Sequence, residues 1–221
     1  MIARIASTSA LTVALALVSG AAPVFASSAP EISHDGLHRV ADSKVQVAYL
    51  KPGEDLHEYD KLLILDCYVA FKKDWKRNHR GVSKRDIERI KKALAEEFRK
   101  VFVEELQAKG GYPIVEEAGD DVLIVRPAII DLDVAAPDTM SAGRADSFTT
   151  SAGAMTLLVE LHDSVSGALL ARAIDREAAN GPGRIRWTTR SSNMSDARKI
   201  LKGWASLLRQ RLDSVRAEKA D

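Results

Sequence analysis

Residues 154–178 read AMTLLVELHDSVSGALLARAIDREA, and this stretch decides the fold. From Met155 the apolar side chains recur at every second position through Leu157, Val159 and Leu161, while Thr156, Glu160 and His162 take alternate places. Successive side chains of a strand point to opposite faces, so the alternation predicts a strand over 154–163 with one buried face. Val165-Ser166-Gly167 fits a three-residue loop with glycine in the left-handed position, and a second strand follows over 168–178. Counting outward from the loop pairs Asp163 with Leu169 and Glu160 with Arg172. A hairpin with one apolar face needs a covering layer, and the rest of the chain supplies it.

Ser83-Lys84-Arg85-Asp86 has the spacing of a helix cap, and Ile87, Ile90, Leu94, Phe98, Val101, Phe102 and Leu106 follow in steps of three and four. With Lys109-Gly110-Gly111 as a stop, a helix is predicted over 84–108. A second helix is expected over 196–215, capped by Ser195 and burying Leu201, Trp204, Leu208, Leu212 and Val215. Further strands are expected over 44–50, 61–71 and 122–134, with a short one around 113–115. The near-continuous apolar first half of 61–71 reads as a central strand. The sum is a single α/β domain of the α+β type over residues 44–217. Its sheet is mixed and largely antiparallel, and two long helices on one face cover all the apolar stripes. Residues 27–43, poor in apolar residues and containing Pro30 and Gly36, are expected to form a flexible N-terminal arm.

The first 26 residues have a different character. Arg4 is followed by an apolar run from Ala10 to Val18, and Val24-Phe25-Ala26 precedes two serines. That is the pattern of a secretory signal peptide cut after Ala26, which predicts export and a periplasmic location. No later segment approaches the roughly 18 consecutive apolar residues of a membrane span. The whole chain carries 32 Lys and Arg against 31 Asp and Glu; removing Arg4 with the leader leaves 31 of each sign. A neutral mature chain gives no support to whole-surface steering toward nucleic acid. Cys67 is the single cysteine, so no internal disulfide can form, and its apolar neighbours Leu62 to Leu65 predict an inert buried thiol.

The stretches Arg39-Val40-Ala41, Tyr68-Val69-Ala70-Phe71 with Asp74-Trp75, Arg126-Pro127-Ala128-Ile129-Ile130, Ala136-Pro137-Asp138 and Ser151-Ala152-Gly153 occur in this order around the long helix. Together they resemble a family of bacterial envelope proteins of lipoprotein type, catalogued as a domain of unknown function. The resemblance spans residues 37–212. It implies a periplasmic setting in a Gram-negative cell and carries no reaction or catalytic residues with it. This chain has no cysteine near Ala26 to take a lipid, which favours a soluble or peripherally associated form over a tethered one.

Four features could carry chemistry. Residues 72–80 place Lys72, Lys73, Lys76, Arg77 and Arg80 around Trp75, a mixture suited to an anionic headgroup, an acidic glycan or single-stranded nucleic acid, the first two being the ligands a periplasm offers, or to a protein contact. The plain alternative is a solvated loop with Trp75 folded onto the core. Residues 181–190 repeat the mixture with Arg184, Arg186, Trp187 and Arg190 after Gly181-Pro182-Gly183. Both segments at one end of the sheet would make a basic patch, the preferred working surface. Between them, residues 137–151 form a long connection in which Phe148 is a candidate anchor. Asp131 and Asp133, two apart on a strand, would share a face, with Ile130, Leu132 and Val134 on the apolar side. With His162 they form the one constellation open to a hydrolase.

No Gly-x-Ser-x-Gly elbow, phosphate loop, paired cysteine, paired metal-spaced histidine or repeat occurs, and no cofactor is called for. The expectation is a non-enzymatic envelope accessory or binding protein whose partner is an envelope protein or an anionic envelope surface, not nucleic acid. A periplasmic hydrolase and a structural homo-oligomer are the alternatives.

Overall fold

The computed structural model describes residues 29–54, 56–134, 147–149, 153–178, 186–188 and 190–218. The expected leader, residues 1–26, and its expected cleavage point lie outside them. In chain order the strands are β1 (His38–Arg39), β2 (Val47–Leu50), β3 (Lys61–Ile64), β4 (Tyr68–Phe71), β5 (Val122–Asp133), β6 (Ser147–Thr149), β7 (Ala154–Asp163), β8 (Leu169–Ala178) and β9 (Arg186–Thr188). The helices are α1 (Trp75–Asn78), α2 (Lys84–Gln107) and α3 (Arg190–Glu218). Seven strands form one mixed sheet in the order β1-β2-β8-β7-β5-β3, with β4 also pairing β5; β6 and β9 pair separately. The contacts from β1 through β5 are antiparallel, whereas β3 and β4 both run parallel to β5. The single α/β domain with a mixed sheet and two long helices is thus the observed architecture.

The hairpin is where the alternation put it. Met155, Leu157, Val159 and Leu161 are all buried, and Glu160 lies opposite Arg172. Gly167 takes the left-handed conformation, with φ 71°. A bulge shifts the loop end of the register, so that Leu169 faces His162 and not Asp163.

α2 starts where Ser83 accepts a hydrogen bond from the Asp86 amide, at 3.1 Å, which satisfies one of the free donors of the first turn. Its inward stripe of Leu94, Phe98, Val101, Phe102 and Leu106 joins the core, and the Phe98 and Phe102 rings stack at 3.9 Å. Each such side chain contributes about 1.5–3 kcal/mol through burial. α3 runs parallel to α2: Arg198 meets Glu97 near one end, and Arg209 meets the carbonyls of Leu106 and Ala108 near the other.

Five expectations need correction. Residues 61–71 do not form one central strand. They form β3 and β4, separated by an irregular step at Leu65–Cys67, and they lie at the edge of the sheet with β5 as their strand partner. Their apolar run is buried from one side by α2, which suffices without a neighbour on each edge. Around residue 114 there is an isolated bridge to Leu62 in place of a strand. α3 begins at Arg190, so Ser195 sits inside the helix and caps nothing.

The N-terminal arm, over its described part, is pinned and not loose. Leu37 is buried, β1 pairs with β2, the Tyr49 hydroxyl donates to the Pro30 carbonyl, and Asp35 is held by Arg172. Those partners are distant in sequence, which is why composition alone suggested freedom. Finally, the helices do not cover every apolar stripe. On the outward face Tyr68, Ala128, Leu158, Ile174 and Val47 lie opposite one another in turn, forming an apolar row across five strands.

Candidate functional site

One end of the sheet gathers several chain excursions. The Lys72 amide donates to the Leu132 carbonyl at 3.0 Å and the Trp75 indole to the Val134 carbonyl at 3.2 Å, which fixes the 72–80 segment to the end of β5. Ala154 lies opposite both Asp133 and Ala178. The chain therefore leaves β4, β5 and β8 at the same end. Gly153 marks the re-entry into β7: its φ is 93°, and a Cβ there would stand 2.7 Å from the Asp133 carbonyl oxygen. The backbones of β6 and β9, which belong to the excursions after β5 and β8, pair with Phe148 opposite Trp187.

Within the 72–80 segment the aromatic residue and the cations part ways. Asp74 takes a left-handed conformation and turns the chain into α1, which drives Trp75 inward to 3% exposure. Its ring packs between Phe71, with centroids 4.3 Å apart, and His79, stacked at 4.2 Å. His79 Nδ1 donates to the Trp75 carbonyl at 2.9 Å, which closes the turn. Trp75 is thus a structural prop and is removed from the candidate binding set.

Lys72, Lys73, Lys76, Arg77 and Arg80 are exposed. Arg77 pairs with Asp74 at 3.4 Å; among the described residues the other four have no ion-pair partner. The result is a cluster of solvated cations on a rigid mount. Arg184 lies outside the described residues, as do the side chains of Phe148, Arg186 and Trp187.

A second polar group lies on the outward sheet face, and only its Glu160–Arg172 pairing is expected from the sequence. Arg172 donates to the Asp35 carboxylate through Nη1 at 3.1 Å and to Glu160 through Nε at 3.0 Å and Nη2 at 2.8 Å. The Arg172 guanidinium and the Ser33 hydroxyl hold the Asp35 carboxyl far below the usual carboxylate range. Burial pushes the Glu160 carboxyl up, and the bonds from Arg172 and His162 outweigh it, so the net direction is down. His162 Nδ1 donates to the Gly167 carbonyl at 3.1 Å, and its Nε2 faces Glu160 at 3.5 Å. This cluster fastens the arm to the sheet. The expected Glu160–Arg172 pair was half of it; Asp35, 137 residues from Arg172, left no local signal.

The hydrolase constellation is not assembled. Register shifts by one residue after Ile130 against both β4 and β7, and Asp131 at φ 52° is the extra residue of a bulge. The bulge resets the alternation. Ile129 and Leu132 are the buried neighbours, and Asp131 is unpaired at the register shift while Asp133 lies opposite Ala154, so the two are not consecutive alternate positions of a regular strand. Asp133 lies opposite Ala154 and His162 opposite Ile124, which separates them by roughly 26 Å along the strand.

Cys67 packs against the core, and burial pushes its thiol up to about 12, so the inert reading fits. Among the described residues no group of three His, Cys, Asp or Glu is placed to hold a metal ion, and no helix is long and apolar enough to cross a membrane.

No curated protein matches the chain. Among solved structures it is similar to two PelC dodecamers from Paraburkholderia phytofirmans. One gives a TM-score of 0.36 at 14% identity, covering 73% of this chain and 95% of that one. The other gives 0.38 at 16% identity, covering 73% and 98%. Residues 29–208, nearly the whole of the described chain, match the family described as protein of unknown function (DUF3313), and the chain belongs to that family.

Proposed function

We propose that this is an exported, non-enzymatic envelope accessory protein that docks onto an anionic envelope surface through the basic end of its sheet. The observation that carries the reading is the separation of roles within residues 72–80. The aromatic residues are spent on holding the backbone still, and Lys72, Lys73, Lys76 and Arg80 are left solvated together with no carboxylate partner among the described residues. A mature chain of zero net charge gains nothing from such a cluster for solubility, whereas each cation near an anionic surface contributes about 1 kcal/mol of attraction. The leader-like first 26 residues supply the route to that surface. The basic-aromatic excursion after β8 and the 137–151 connection with Phe148 depart from the same end and would widen the contact.

The test is cosedimentation of the purified chain with vesicles of phosphatidylglycerol and phosphatidylethanolamine, beside a variant carrying Lys73→Glu, Lys76→Glu and Arg80→Glu. The wild type is expected to bind in low salt and release in high salt, and the variant to bind at least about a hundredfold more weakly. The melting temperature should hold, since all three side chains are exposed. Equal binding by the two proteins, or no binding by the wild type, removes the reading.

A further inference from the structure

We infer that the open edge of the sheet, residues 66–72, is an interface for a second copy of this chain, joined by antiparallel strand pairing about Val69. An unpaired edge presents free backbone donors and acceptors, and proteins usually close it. Here the opposite edge is closed, because β1 and the pinned arm lie along β2. The outer side of β3 is closed as well: Leu62 donates to the Pro113 carbonyl at 3.0 Å and accepts from the Val115 amide at 2.9 Å. Among the described residues no strand or loop pairs the far side of β4.

The occupant follows from the sequence along that edge. Asp66-Cys67-Tyr68-Val69-Ala70-Phe71-Lys72 alternates: Cys67, Val69 and Phe71 pack on the core, and Asp66, Tyr68 and Lys72 are exposed. Pairing this segment with itself, antiparallel and centred on Val69, sets Tyr68 opposite Ala70, Cys67 opposite Phe71 and Asp66 opposite Lys72. Every residue then meets one of its own face, and each end of the interface joins opposite charges. A one-residue slip would mix the faces, so the register is specified. Tyr68, at 66% exposure one of the most exposed large apolar residues described, would be covered by its neighbour's Ala70, and the apolar row of the outward face would continue across the two-fold axis. A foreign acidic strand would suit Lys72 but would meet Asp66 with like charge, which favours the second copy.

Sedimentation velocity across a concentration series tests this with Asp66→Lys, Lys72→Asp and the double exchange. The wild type is expected to show a reversible monomer–dimer equilibrium. Each single variant places like charges opposite at two symmetric positions and should weaken the dimer about tenfold or more. The double exchange restores both pairs and should restore the dimer, which also shows that the single variants fold. A wild type that stays monomeric, a dimer indifferent to the single variants, or a double exchange that fails to rescue overturns the inference. Lys72 belongs to both surfaces, but the vesicle test exchanges only Lys73, Lys76 and Arg80 and the dimer test is read in solution without vesicles, so either idea can fail without the other.

Discussion

The two edges of this sheet are built in opposite ways. On the β2 side, a short strand, a buried leucine and a forked guanidinium draw the N-terminal arm over the structure and leave little backbone to offer. On the β4 side the strand is four residues long, follows an irregular step, and ends in lysines fixed to a tryptophan stack. One edge is covered by a further strand and an arm pinned across the sheet, and the other is anchored at its end to β5 with its far side left unpaired among the described residues. Which edge a protein covers shows which backbone it closes, and the edge it leaves is available for work.

The comparison can be broken most severely at Trp75. Trp75→Ala removes a side chain that is 3% exposed and packed by rings on both sides, and should cost about 3–5 kcal/mol, measured as a lower urea midpoint. The closed edge should barely notice, so the Arg39 and Val40 amides, bonded to Glu31 and Ala48, should keep their hydrogen-exchange protection relative to global unfolding.

Acid breaks the closed edge instead. Asp35 and Glu160 have carboxyls held below their ordinary values of 3.8 and 4.5. Their contribution is therefore fully present above those ordinary values and is lost as pH falls through the depressed folded-state range. Protection of the Arg39 and Val40 amides should fall progressively below about pH 4.5, while Asp35→Asn should show weakened protection already at neutral pH and a flatter profile. The smallest effect is expected at Lys61 on β3, whose pair with Asp121 at 2.7 Å is 43% exposed on each side. Lys61→Ala should change stability by less than about 1 kcal/mol, and a larger shift in the urea midpoint would mean that this edge is less solvated than it looks.

Local patterns were legible and long-range ones were not. The β7 stripe, the Ser83 cap and the spacing of Leu201, Trp204, Leu212 and Val215 follow from strand and helix periods, and each was readable without knowing a neighbour. The placement of 61–71 at an edge was not, because a continuous apolar run looks the same in a middle strand as in an edge strand buried by a helix. The Asp131 bulge was invisible because a single left-handed residue leaves the flanking composition unchanged while inverting which side chains face the core. Of the candidate site, the cations of 72–80 were legible as charge; the inward turn of Trp75 depends on the φ of Asp74 and on the Val134 carbonyl, neither of which a spacing can announce.

Arg209 gives the molecule a property of sequence in time. Its guanidinium donates to the Glu105, Leu106 and Ala108 carbonyls at and just past the end of α2, the last two of which also accept from the Tyr112 and Gly111 amides. Arg216 lies over the Tyr112 ring just beyond and pairs with Asp60 before β3. A chain made N-terminus first therefore leaves the end of α2 without these contacts until α3 is delivered. Closure of this corner of the structure waits for α3, the element furthest from α2 in order of synthesis.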